Sequence, residues 1–105
     1  MTTAYAAEQP ERSEIDALPG AAVVEFGANW CSICQGAQPL IREAFADHPD
    51  MPHLKVEDGS GRPLGRSFGV KLWPTLVFLR DGKEVARVVR PQSAATVREA
   101  LAQIA

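Results

Sequence analysis

The chain has 105 residues, 46% of them hydrophobic and 23% charged, with a formal net charge of −2. That is the make-up of a single globular domain over residues 1–105 with one core; it carries no basic face for nucleic acid and no apolar run long enough to cross a bilayer. Residues 1–20 hold Glu8, Glu11, Arg12, Glu14 and Asp16 and no apolar stretch of the secretory kind, which points to the cytoplasm, where two cysteines read as redox-active or metal-binding rather than as a structural staple.

Residues 2–7 form either a short edge strand or a loose terminus. Pro10 begins a short helical reading through Leu18, and Pro19-Gly20 ends it. Residues 21–26 are almost continuously apolar and predict a strand buried on both faces of a parallel or mixed sheet. Glu25 interrupts that run. It either points out at a sheet edge or is buried, and burial of a carboxylate is costly unless it is partnered or protonated.

Trp30-Cys31-Ser32-Ile33-Cys34 follows, where the strand turns into a helix. Cys31 projects at the helix start, where unpaired N–H groups and the positive end of the helix dipole favour a thiolate. A thiolate there can attack a disulfide. Cys34, one turn on, can reach back and release the reduced substrate. The helical pattern over residues 35–46 places Ala37, Leu40, Ile41, Ala44 and Phe45 on one face, and Pro39 inside it should kink or split the helix.

Residues 54–57 alternate as a strand, residues 58–61 make a turn, and residues 62–68 a short helix stopped by Gly69. Residues 75–79 are the second strongly apolar strand; Asp81-Gly82 signals a hairpin, and residues 84–89 return. Ser93 caps a last helix carrying Val97, Leu101 and Ile104. Alternating elements followed by a hairpin imply an α/β fold, a mixed central sheet with helices on both faces. His48 and His53 flank proline-containing turns and read as surface residues. A metal site needs about four ligands, and only these histidines could join the cysteines, so no metal is expected.

This order, with Trp-Cys-x-x-Cys ahead of a helix that contains Pro39, resembles the thioredoxin family over about residues 21–105 and weakly over 1–20. Trp73-Pro74-Thr75 is similar to the family's cis-proline segment, and Asp81-Gly82 to its hairpin. Glu25 stands where the family has a buried aspartate, and Lys55 where it has the lysine beside that aspartate. The resemblance implies a three-layer sandwich and a thiol–disulfide oxidoreductase of cell redox homeostasis. In that reading Cys31 attacks, Cys34 resolves, and Glu25, with Lys55 alongside, shuttles the Cys34 proton. Trp30, Trp73, Pro74 and Arg90 border the substrate groove, and the Trp73 backbone is offered to a bound chain for strand-like pairing. No cofactor is required, since the dithiol carries both electrons. The implied partners are a disulfide-containing protein substrate and an unidentified upstream reductase, with the protein acting as a monomer away from nucleic acid and membranes.

Several positions depart from the family pattern. Ser32-Ile33 replaces Gly-Pro, Glu25 replaces Asp, Trp73 stands for an Ile, and Arg90-Pro91 falls where a glycine usually lets substrate approach. A second reading therefore stays open, an adaptor module that docks one partner with little redox turnover. Trp73 either fills the groove beside Cys31 or packs; Trp30 is either a core aromatic or, as the resemblance favours, a residue facing substrate. Two further expectations follow. A buried Glu25 titrates high because desolvation outweighs Lys55. The Ser32 hydroxyl bonds the Cys31 sulfur and makes the couple less reducing than roughly −270 mV.

Overall fold

The structure, a computed structural model, describes residues 4–105; Thr2 and Thr3 of the proposed terminal strand lie outside that range. The apolar run forms an interior strand, β1 (Ala21–Gly27), with β2 (His53–Glu57) parallel on one side and β3 (Thr75–Arg80) antiparallel on the other. Strand β4 (Lys83–Val89) pairs antiparallel with β3, so the sheet runs β2-β1-β3-β4. Alternation along the central strands decides what each face holds. Val23, Leu76 and Phe78 pack with α2 (Ser32–Phe45) and α4 (Ala94–Ile104). Val24, Phe26, Val77 and Leu79 pack on the opposite face against Ile15 of α1 (Arg12–Asp16) and Leu64 of α3 (Pro63–Ser67). The result is the expected α/β architecture of three layers.

Helix α2 begins three residues before its apolar pattern does, because the Cys31 side chain caps it and accepts from the Cys34 N–H. It runs unbroken past Pro39 to Phe45, so the proline does not split it. Ser93 caps α4 by accepting from the Thr96 N–H, as its position predicts. The β3–β4 hairpin turns on Asp81 and Gly82, at φ 51 and 79 degrees, the left-handed pair that suits the twist of the strands. A Cβ on Gly82 would lie 1.9 Å from the Asp16 carbonyl oxygen, so this glycine also lets the hairpin tip sit against α1.

The segment before α1 is tied to the sheet. Ala6 forms a parallel bridge with Val56: its N–H donates to the Lys55 carbonyl and its own carbonyl accepts from the Glu57 N–H, both at 2.9 Å. That tether carries Tyr5 under the end of β1. Among the described residues no helix is long and apolar enough to cross a membrane.

Candidate active site

Cys31 and Cys34 are free thiols at the start of α2. Cys31 is buried, 9% exposed, and its sulfur accepts from the Cys34 N–H at 3.2 Å, so that amide, not the Ser32 hydroxyl expected from sequence, is the donor the structure supplies. Cys34 is fully buried. Burial pushes its thiol up to about 11, and the neighbouring Cys31 adds to the rise. The two cysteines form a small buried cluster with Tyr5 and Ala28, against which Trp73 packs.

Trp30 is 73% exposed, which settles it as a surface aromatic. Its ring meets Trp73 edge-on at 5.6 Å. Trp73 is held by its indole N–H, which donates to Asp58 Oδ2 at 2.8 Å. Asp58 in turn lies against Gly65, where a Cβ would come within 2.3 Å of its carboxylate. The Trp73–Pro74 peptide is cis. Arg90 has φ 49 degrees; its guanidinium donates to the Trp73 carbonyl and its N–H to the Pro74 carbonyl, each at 2.9 Å. An open groove of about 570 Å³ runs beside Trp73, lined by Asp58, Arg62, Arg66 and Lys71 among others.

Glu25 lies behind the cysteines. It is fully buried in the middle of the sheet, in register with Lys55. The expectation that it titrates high is not met. Burial pushes its carboxyl up, but the hydrogen bond and charge of His53, the charge of Lys55 and the Gln38 amide together bring it below the usual carboxylate value. Its Oε1 accepts from His53 Nε2 at 2.8 Å, and its Oε2 from Gln38 Nε2 at 3.0 Å and from the Tyr5 hydroxyl. His53 is therefore not a turn residue at the surface. It opens β2, and its ring stacks on Phe45 with centroids 4.2 Å apart. The Lys55 ammonium donates to Gln38 Oε1 and stands 4.7 Å over the Tyr5 ring. Burial holds it below its ordinary value despite the pull of Glu25.

The sequence offered Cys31, Cys34, Glu25, Lys55, Trp30, Trp73, Pro74 and Arg90 as candidates; in the structure Trp73 packs on the two cysteines and meets Trp30, Arg90 donates to the Trp73 carbonyl, and Glu25 lies in register with Lys55. The sequence reading did not find Tyr5, Gln38, His53 or Asp58. Two of these left a signal. His53 is two residues from Lys55 and so shares its strand face; Gln38 is four residues from Cys34 and so shares its helix face. Among the described residues no group of acidic, histidine and cysteine side chains could hold a metal ion.

The sequence model of the family described as Thioredoxin matches residues 5–103. The chain belongs to the thioredoxin family. Thioredoxin 2 of Pseudomonas aeruginosa, in its reduced form, is similar in structure with a TM-score of 0.88 and 62% identity over 99% of this chain and 96% of that one. A thioredoxin of Chlamydia muridarum is 41% identical over 67% of this chain and 69% of its own length. Thioredoxin H-type 1 of Nicotiana tabacum is 37% identical over 64% of this chain, and the match spans only 53% of the tobacco protein. The match to the thioredoxin family reaches back to residue 5, beyond the start near residue 21 read from the motifs. Thioredoxins are thiol–disulfide oxidoreductases, and the Cys31–Cys34 pair supports a dithiol redox function here.

Proposed function

We propose that this protein reduces disulfide bonds of protein substrates through the Cys31/Cys34 dithiol and is returned to the dithiol state by an upstream reductase. The observation that carries the proposal is the pairing of two free thiols at the start of α2, Cys31 capping the helix and Cys34 fully buried one turn behind it. Cys31 attacks the substrate disulfide and forms a mixed disulfide. Cys34 then attacks Cys31, which releases the substrate as a thiol and leaves the Cys31–Cys34 disulfide. Glu25 is the acceptor for the Cys34 proton, and Lys55 and His53 keep it ionised until it is needed. Trp30, Trp73 and Pro74 border the groove that takes the substrate chain.

The dithiol carries both electrons, so the cycle asks for no bound cofactor. A reducing compartment such as the cytoplasm suits a couple of this kind. All the groups the reaction uses come from one chain, which fits a monomer.

The Arg90 donation to the Trp73 carbonyl favours a second reading, an adaptor whose groove docks one partner with little turnover. Insulin reduction with a supplied reductant separates the two. Turnover lost in Cys31→Ser supports the oxidoreductase. Absence of turnover, with a partner bound equally well by the cysteine-free protein, supports the adaptor. A Cys34→Ala variant should accumulate mixed disulfides and so identify the substrates.

A further inference from the structure

Cys34 and Glu25 both need a partner for one proton, and Tyr5 stands between them. The phenol hydroxyl donates to Glu25 Oε2, and Tyr5 shares a small buried cluster with Cys34. Gly27 makes room for this meeting. A Cβ there would fall 2.7 Å from the Tyr5 oxygen and 2.9 Å from the Cys34 sulfur, so only a residue without a side chain lets the phenol and thiol face each other across the end of β1. The N-terminal segment fixes the phenol in place: the Tyr5 N–H donates to Asn29 Oδ1 at 2.8 Å, and Ala6 is bridged to β2.

Among the described residues, Gln38 is less suited to this work. Gln38 Nε2 touches both Tyr5 and Glu25, but an amide nitrogen only donates, and Gln38 Oε1 is taken by Lys55. A hydroxyl both donates and accepts. We propose that the Tyr5 hydroxyl relays the Cys34 proton to Glu25 while the mixed disulfide is resolved. The proposal rests on the dithiol reading above.

The step balances as follows. The Cys34 sulfur attacks Cys31 and forms the new S–S bond. The Cys34 S–H bond breaks and its proton passes to the Tyr5 oxygen, while the original Tyr5 proton passes to Glu25 Oε2. The bond between Cys31 and the substrate sulfur breaks, and its electron pair leaves with the substrate thiolate, which is protonated from solvent. The two cysteines are oxidised and the substrate is reduced by the same two electrons. Tyr5 gains one proton as it loses another and never stands as a phenolate, consistent with burial and the Glu25 charge, which push its ionisation far above the ordinary range. In the mixed disulfide Cys31 is neutral, so its contribution to the high Cys34 value is gone. The charged or titratable groups facing this hydroxyl are Glu25 from β1, Lys55 from β2, and Cys34 from α2, with His53 behind Glu25 and Cys31 at the helix cap.

A chromogenic aromatic disulfide reports both steps in one stopped-flow trace, since its first thiolate release marks attack by Cys31 and its second marks attack by Cys34. Tyr5→Phe should leave the first release unchanged and slow the second by about tenfold or more near neutral pH. The deficit should shrink as pH rises toward the range in which the buried Cys34 thiol ionises unaided. Equal slowing of both releases at every pH, or a second release at the native rate, overturns the relay. The native protein gives an independent check in mixtures of light and heavy water. Two protons in flight bend the plot of second-release rate against deuterium fraction, and a straight line overturns the relay. Loss of the first release would instead sink the dithiol reading itself.

Discussion

Replacing Glu25 by glutamine should destabilise the fold by about 3 kcal/mol. A lone buried carboxylate would respond in the opposite sense, because removing its charge would relieve desolvation. Glu25 is not alone. Its oxygens accept from Tyr5, His53 and Gln38, and Lys55 supplies a buried positive charge beside them. Because the carboxylate is ionised, His53 Nε2 must carry the hydrogen of their shared bond. Glutamine keeps the shape but turns one acceptor into an NH2 donor. If that donor replaces Oε1 it confronts His53; if it replaces Oε2 it confronts the Gln38 amide. A buried hydrogen bond to a charged group contributes roughly 1.5–3 kcal/mol, so loss of one such bond, with Lys55 left short of its counter-charge, gives the quoted figure. For a chain of this size that corresponds to a fall in Tm of about 12–24 °C. Thermal and urea unfolding of the reduced proteins at neutral pH would measure it. The folded carboxyl titrates below its ordinary 4.5, so its contribution is complete above that pH and is lost as pH falls through the lower, folded value. The gap between the two proteins should therefore narrow in acid. A glutamine variant as stable as the native protein, or more so, would refute the reasoning.

Three other outcomes are expected. Haloacetamide at neutral pH should label Cys31 in the folded, reduced protein well before Cys34, whose value of about 11 leaves about one part in ten thousand ionised at pH 7, and peptide mapping will show the order. Gly27→Ala should cost about 1–3 kcal/mol in urea unfolding, because the new methyl meets the Tyr5 ring at 2.6 Å and the Cys34 sulfur at 2.9 Å. His53→Phe keeps the ring against Phe45 but removes the donor to Glu25 Oε1, so the Glu25 carboxyl should titrate higher; NMR titration of its carboxyl carbon gives the shift, and an unchanged value would count against the role given to His53.

The parts of this molecule legible in the sequence were those fixed by local periodicity and by short-range spacing. The apolar runs of β1 and β3, the Asp81-Gly82 turn and the Ser93 cap each follow from neighbours a few residues away. So does the placing of Cys31 at the head of α2, although the cap formed by its own sulfur started the helix earlier than the apolar pattern did. The polar surroundings of Glu25 were harder to read. Lys55 alone was weighed against desolvation, and His53 was assigned to a turn because Pro52 precedes it. Strand parity would have placed His53 on the Lys55 face, where its ring now stacks and its nitrogen reaches the carboxylate. Tyr5 had no such signal. Its place is set by the Ala6 bridge to β2 and by the Asn29 side chain, and it stands twenty residues from the carboxylate it meets, so nothing within a window of neighbouring residues announces that contact.

Arg90 already claims hydrogen-bonding capacity that the proposed function would offer to a substrate chain. Its backbone and side chain together donate to two consecutive carbonyls, those of Trp73 and Pro74. The residue holds a left-handed conformation at φ 49 degrees, which costs a side-chain-bearing residue roughly 1–2 kcal/mol. Under the proposed function, an extended chain that pairs with the Trp73 carbonyl would meet an oxygen that already accepts from the guanidinium, and would either share it through the second lone pair or displace Arg90. In that proposed role, discrimination among incoming chains would lean less on the backbone, which every polypeptide shares, and more on the side chains that meet Trp30 and Trp73.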